Sequence, residues 1–112
     1  YQMHKEDDGT DTTQYIAGSD LAQSTSEQRL TTGELNTDND GCLSGYLHLF
    51  NPSSTTFVKH FIAQTQYMNN SPASENPHIA GYCNTTSAID GVQFSVSTGN
   101  IDSGDILLFG LN

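Results

Sequence analysis

The sequence has very little positive charge. Of its 112 residues only three are basic, Lys5, Arg29 and Lys59, against thirteen acidic residues, which gives a formal net charge of -10. A nucleic-acid-binding protein needs a clustered basic surface to neutralise phosphates, and three scattered cations cannot supply one. Anionic membrane surfaces would also repel this chain. We therefore expect neither a nucleic acid nor a membrane as its partner.

Long apolar runs and dense charge are missing as well. No uninterrupted apolar stretch approaches the ~20 residues of a transmembrane helix. Charged residues make up only 14% of the chain, whereas a disordered acidic tail would be dense in charge. Hydrophobic residues make up 34%, so uncharged polar residues and glycine supply most of the remainder. This composition favours a β-rich domain with uncharged polar strand faces.

Cysteine is scarce, with Cys42 and Cys83 the only two in the sequence. Neither belongs to a CxxC motif, and no histidine stands at zinc-finger spacing from them. We expect two unpaired thiols that pack as small hydrophobic side chains. The alternative, a disulfide, requires that the two Cα atoms lie within ~7 Å of each other.

A helical apolar period is absent from the whole chain, and short segments bounded by turn residues replace it. Such a pattern is typical of an antiparallel β-sandwich or jelly roll, here with six or seven strands. The length suits a single domain, 1–112, which we expect to be a fragment that lacks N-terminal strands. An Asp-Gly pair at positions 8 and 9 predicts a hairpin turn. The candidate strands are residues 1–5, 14–17, 27–32, 42–50, 55–68, 78–83, 92–96 and 106–109.

The C-terminal strands have the clearest pattern. Val92, Phe94 and Val96 alternate with polar residues, as in a half-buried strand. Residues 106–109 are apolar at every position, as in a strand covered on both faces. Two strands alone are not stable in water, so we expect this pair to lie in a larger sheet packed against a second layer.

One loop resembles half of a calcium site. Asn36, Asp38, Asp40 and Gly41 match the first half of an EF-hand loop, in which alternate oxygens bind the ion and glycine makes a sharp turn. The second half fails, because Leu47 stands where a bidentate glutamate is needed. We therefore expect a polar hairpin loop here, and a weak surface calcium site at Asp38 and Asp40 stays open as the alternative.

The sequence predicts no catalytic, cofactor-binding or metal-binding residue, and it assigns no ligand-binding residue. The four histidines, His4, His48, His60 and His78, lack a recognisable set of further ligands, so we expect them on sheet faces or at interfaces. No GxSxG elbow is present, and no glycine-rich loop precedes a helix and a lysine. The adjacent pair Asp7 and Asp8 would point apart in an extended chain. The five tyrosines and five phenylalanines are expected in the core and in subunit contacts.

Three segments together resemble a known family. Residues 97–110, STGNIDSGDILLFG, resemble the closing pattern SGNIASGTIKLYG of a C-terminal domain of bacteriophage tail-fibre, neck-fibre and head-decoration proteins. Residues 85–94 resemble the "AI.G.RF" strand of that domain, and residues 43–52 its "LSG.L.L.NP" strand and turn. Asp102 and Asp105 depart from the pattern, in which those positions are small or neutral.

The resemblance implies a β-sandwich structural module without enzyme activity, which forms a homotrimer on the virion exterior or an appendage. We therefore expect a phage virion structural component, a fibre or tail protein or a capsid decoration protein, that contacts copies of itself and other virion proteins. The alternative from another class is a receptor- or carbohydrate-binding adhesin module that recognises a host surface glycan. A third alternative, a small hydrolase, has no catalytic constellation to support it.

Overall fold

The computed structural model describes residues 2–6, 11–39, 41–71 and 73–111. These residues contain one antiparallel sheet of five strands in the spatial order β2-β1-β5-β4-β3. The strands are β1 (Gln2–Glu6), β2 (Asp11–Gln14), β3 (Leu43–Leu49), β4 (Lys59–Met68) and β5 (Ala73–Cys83). Helix is limited to one 3-10 turn, Ala17–Ser19, within the described ranges, where no helix could cross a membrane. The prediction of an all-β antiparallel domain is confirmed.

The sheet has two unlike faces, because side chains alternate along its two long central strands. On one side the odd-numbered residues of β4 and β5, such as Ala63, Thr65 and Glu75, are buried. We call this side the covered face. The even-numbered residues, together with Tyr46 and His48 of β3, form the other side, which is largely exposed. We call it the open face.

Proline lies inside β5, although the sequence predicts a loop over residues 69–77. Pro77 has no backbone N–H, so it cannot donate to the ladder with β4. The β4–β5 register is interrupted at this point, between the pair Gln64 and His78 and the pair Tyr67 and Glu75. The Nδ2 of Asn76 donates to the backbone oxygen of Thr65 at 2.7 Å. This side chain supplies a donor where proline lacks one, and the strand continues.

Two further strand predictions need correction. Residues 27–32 form no strand; they cross the covered face, where the Oγ1 of Thr65 donates to the oxygen of Leu30 at 2.6 Å. The long strand predicted over 55–68 begins only at Lys59, because the Oγ of Ser54 accepts a hydrogen bond from the N–H of Phe57 at 3.1 Å and holds a turn.

The N-terminal hairpin has the predicted antiparallel pairing. Gln2 lies opposite Gln14 in the β1–β2 register. The second strand covers Asp11–Gln14 rather than 14–17, where the 3-10 turn takes over. The turn residues predicted at Asp8 and Gly9 lie outside the described residues.

The two C-terminal strand predictions differ most from the structure. Residues 84–111 contain neither strand nor helix. The last described backbone hydrogen bond between this region and the sheet domain joins the N–H of Ile89 to the oxygen of Pro52, at 2.9 Å. We call residues 90–111 the C-terminal arm. The arm adds no second layer over the sheet, so the described part of the chain contains a single-layer structure.

The apolar core is correspondingly small. The buried hydrophobic side chains of the described residues are Ala63, Tyr67 and Ala73, Pro77 is fully buried as well, and the charged residues Lys59 and Glu75 are also buried. The accessible surface is 8688 Å², whereas a compact monomer of 12.1 kDa would expose about 6,000 Å². The radius of gyration, 15.4 Å, also exceeds the ~13 Å of a compact chain of this length. A single copy therefore leaves much surface unburied.

Candidate functional site

A buried polar cluster fixes the loop that crosses the covered face. Glu75 is only 5% exposed, and its carboxylate accepts hydrogen bonds from three neutral donors, the hydroxyls of Tyr67 and Thr32 and the Nδ2 of Asn69. The Tyr67 hydroxyl oxygen also accepts from the backbone N–H of Gly33 at 2.8 Å and from that of Thr32 at 3.2 Å. The buried polar groups of this cluster find their hydrogen-bond partners within it, so the role of the cluster is to hold the loop on the sheet.

Burial raises the pKa of Tyr67 above its ordinary value of 10.0, and the hydrogen bond to Glu75 raises it further. Both causes favour the protonated phenol, because ionisation would place a second negative charge beside the carboxylate. The tyrosine therefore serves as a hydrogen-bond donor over the physiological pH range.

Lys59 anchors the start of the C-terminal region. Its side chain is fully buried, and its Nζ donates to the backbone oxygen of Ser87 at 2.6 Å and to that of Thr85 at 3.3 Å. Together with the bond from Ile89 to Pro52, these contacts fix the chain up to the point where the arm leaves.

The open face is an exposed surface of aromatic, histidine and small apolar side chains. Tyr46 is 53% exposed and Tyr82 is 58% exposed, and Ile62 lies between them on β4. Solvent-exposed apolar patches of this kind mark interaction sites in soluble proteins. A shallow depression of about 270 Å³ lies on this face. Its lining residues are Tyr46, Ile62, Ala63, Gln64, His78, Ile79 and Ala80.

A hydrogen-bonded chain crosses three strands on this face. The Tyr46 hydroxyl donates to Oε1 of Gln64 at 2.8 Å. The Nε2 of Gln64 donates in turn to Oδ1 of Asn76 at 2.9 Å. Since Asn76 also bonds to the backbone of β4, the chain fixes the orientation of the Tyr46 ring over the sheet.

Three of the four histidines lie on the open face, as expected for sheet-face residues. His48 contacts Tyr46 edge-on, with 5.2 Å between ring centroids, and His60 lies 5.9 Å from Tyr82. His78 lines the depression. The side chain of His4 falls outside the description. Within the described ranges, no three metal-ligating side chains form a group that could hold an ion.

The loop that resembles half of a calcium site is closed by its own hydrogen bonds. The Oδ1 of Asn36 accepts from the N–H of Asp38 at 2.9 Å, and the oxygen of Asp38 accepts from the N–H of Gly41 at 2.8 Å. Asp40 lies outside the described residues. The described residues therefore form a polar loop as predicted, but not a hairpin, because Leu35 before the loop pairs antiparallel with Asn69 and Leu43 after it pairs antiparallel with Tyr67.

The cysteines are unpaired and lie at opposite ends of the sheet. Cys83 is paired with Lys59 at the start of β4, whereas Cys42 precedes the residue paired with Tyr67 near its end. Eight residues of strand separate these positions, or roughly 26 Å at the usual rise. Cys42 is exposed, so the expectation that it packs as a buried hydrophobic residue is wrong.

The C-terminal arm contains the four large hydrophobic side chains with the highest exposed fractions in the described structure. Leu108 is 94% exposed. A 3.3 Å hydrogen bond from the Oγ of Ser95 to Oε2 of Glu27 joins the arm to the loop that crosses the covered face. Searches of this chain against protein-family models, curated proteins and solved structures found no match.

The sequence signals identify the open face only in part. The alternation of Tyr46, His48 and Phe50 places three rings on one side of β3, and that side is exposed as observed. What the pattern cannot show is whether a second layer covers it. The covered face depends on Glu75 and Tyr67, which lie in segments assigned to a loop and to a strand, and no local motif marks their contact.

Proposed function

We propose that this chain is a non-enzymatic structural component of a phage virion, either a fibre or tail component or a capsid decoration protein. The observation that carries the proposal is the exposed apolar arm beside a sheet with almost no apolar core. A domain that leaves this much apolar surface bare is suited to bury it against neighbouring proteins. The resemblance of residues 97–110 to the phage domain supports the same function.

In this proposal the β-sandwich is completed by assembly. One copy contributes a sheet of five strands, and segments of neighbouring copies in a homotrimer bring the strand count of each unit to six or seven and cover its exposed apolar surface. The exterior of a virion suits a chain of net charge -10, because like charge limits the aggregation of particles.

The test is to locate the chain in an intact particle by cryo-electron microscopy. We expect it on the exterior or in an appendage, with the C-terminal arm in contact with neighbouring subunits. A chain that occurs only outside virus particles and turns over a substrate would contradict the proposal.

A second candidate function, a glycan-binding adhesin module, is favoured by one observation. Tyr46 and Tyr82 present exposed rings on one face, and polar groups of Gln64 lie between the strands that carry them. Ring faces stack on the apolar CH groups of sugars. Host glycans that shift the NMR signals of Tyr46 and Tyr82, while those of exposed Tyr15 stay unchanged, would favour the adhesin. Equal or absent shifts would favour the structural role.

A further inference from the structure

The end of the C-terminal arm is an apolar segment that forms no strand with any other described part of the chain. We call residues 106–111 the arm tip. Its large side chains are between 67% and 94% exposed. In the described residues no backbone hydrogen bond joins the arm tip to any other segment. Any contact that removes such a segment from water lowers the free energy of the system.

The outer edge of β3 is equally unpartnered. β3 is the last strand in the sheet order, so one of its two edges has no neighbour among the described strands. Soluble proteins protect such edges with lysine, proline, bulges or a covering loop. The seven residues of β3, LSGYLHL, include no lysine and no proline, and their pairing with β4 runs without a bulge.

The two segments match in face pattern. β3 carries Leu47 and Leu49 toward the covered face, and toward the open face it carries the ring of Tyr46, between Ser44 and His48. In a strand, Ile106 and Leu108 would point to one face and Leu107 to the other. An added strand of this composition continues the apolar surface on either side, whichever register it takes.

The charges and the exposed area indicate that the partner is a second copy. The chain carries a net charge of -10, yet neither β3 nor the arm tip contains an acidic residue, so this contact avoids the repulsion between copies. One copy exposes about 2,700 Å² more than a compact monomer of its mass. Stable interfaces bury about 1,200–2,000 Å² and obligate ones more, so the excess suffices for one.

We propose that the arm tip of one copy adds as a strand to the outer edge of β3 in a second copy. The inference deepens the proposed structural function, since it names the contact through which copies associate. Each copy gives one tip and receives one, by main-chain hydrogen bonds in the manner of strand addition. Because the contact joins two different surfaces, the interface is heterologous. It forms a closed ring when the rotation that relates neighbouring copies closes on itself.

The first test uses charge substitutions in the arm of the full chain. Leu108→Asp places a carboxylate in the contact at a position that is exposed in the isolated chain, so the fold of one copy is unaffected. The matched control is Asn100→Asp, which adds the same charge at an exposed position outside the arm tip. Sedimentation velocity should show dissociation constants raised by at least about tenfold for Leu108→Asp and changed by less than about threefold for the control.

The second test identifies the surface that receives the tip. A photo-crosslinker is attached to the thiol introduced by Leu108→Cys, in a chain that also carries Cys42→Ser and Cys83→Ser. Copies produced in ¹⁵N medium, which are heavy, are mixed with light copies produced in ordinary medium. The mixture is irradiated and then digested with trypsin. Because the chain has three basic residues, β3 falls in fragment 30–59 and the arm tip in fragment 60–112. We expect adducts between a light 60–112 and a heavy 30–59, which chymotrypsin then localises to β3.

Three results would overturn the proposal. They are unchanged association of Leu108→Asp, crosslinks within single copies only, and crosslinks between copies that lie in fragment 60–112. None of them would decide whether the chain belongs to a virion, since particle location is measured separately. Conversely, crosslinks to β3 would support the contact even if the chain were found outside a particle.

Discussion

At the scale of single residues, Tyr67 has the most demanding role. It is 2% exposed, and one hydroxyl joins a loop, a strand and a buried carboxylate. Tyr67→Phe removes the hydroxyl and leaves the N–H of Gly33 and part of the Glu75 carboxylate without a partner. We expect a loss of about 2–3 kcal/mol in the free energy of unfolding. Tyr82→Phe, on the open face, should change it by less than about 0.5 kcal/mol. Denaturant titrations at one protein concentration compare the two, and equal losses would contradict this role.

The raised pKa of Tyr67 predicts that the stability of the fold depends on pH. The folded-state pKa of Tyr67 is raised above its ordinary value, so its contribution is full below pH ~10 and is lost as pH rises through the folded pKa. Stability above pH ~10 should therefore fall more steeply in the parent chain than in Tyr67→Phe. Thermal unfolding between about pH 8 and 11 measures both slopes. Parallel pH profiles of the two proteins would show that the phenol does not titrate as described.

Asn76 offers a test by rescue. Its amide supplies the hydrogen bond beside Pro77, so Asn76→Ala should cost about 1–3 kcal/mol by leaving the oxygen of Thr65 unsatisfied. Pro77→Ala restores a backbone N–H at the neighbouring position. The double variant should then be more stable than Asn76→Ala alone, as chemical denaturation would show. Additive losses would mean that the amide does not replace the missing donor.

At the scale of elements, period-2 alternation predicted best the two strands β3 and β4, which pair with each other. β3 matches the expectation within one residue at each end, and the central part of β4 matches as well. The sequence analysis did not predict the first half of β5, because a proline such as Pro77 usually ends a strand. Here the strand continues because the side chain of Asn76 supplies the missing hydrogen-bond donor. The prediction at 92–96 rests on equally good alternation and the prediction at 106–109 on a continuous apolar run, but such patterns report which faces are apolar and not what covers them.

β3 should be sensitive to any side chain at its glycine. A Cβ at Gly45 would lie 2.4 Å from the backbone oxygen of Gln64 and 2.8 Å from the Cα of Thr65. Gly45→Ala should therefore push β3 from β4 and cost about 1–3 kcal/mol. Gly91→Ala is the control, because nothing lies within 4 Å of that position. Thermal unfolding of both variants checks this, and a Gly45→Ala protein as stable as the control would contradict the close approach.

At the scale of the whole molecule, charge and exposed apolar surface act in opposite directions. Copies of net charge -10 repel one another, while their exposed apolar segments favour association. Salt screens the repulsion over about 10 Å at 0.1 M. Raising NaCl from about 20 to 300 mM should therefore strengthen self-association severalfold in sedimentation velocity. Weaker association at high salt would indicate that ion pairs, rather than apolar contacts, hold the copies together.

The charge balance, the all-β class and the placement of Tyr46 and His48 on one side of β3 follow from composition and alternation. The exposure of the arm tip does not follow from the sequence, because residues such as Leu108 have the composition of a buried strand wherever they lie. It is seen only in the structure, where the described residues supply no layer that covers the arm tip.

We propose that one copy needs its neighbours to bury its exposed apolar surface, and the mass of the chain in solution tests this directly. Sedimentation equilibrium over a wide concentration range should show self-association, with a limiting species of about 36 kDa for three copies of 12.1 kDa. The melting temperature should rise with concentration, because assembly and folding are linked. A stable 12.1 kDa monomer at all concentrations, with one unchanging melting temperature, would contradict the account.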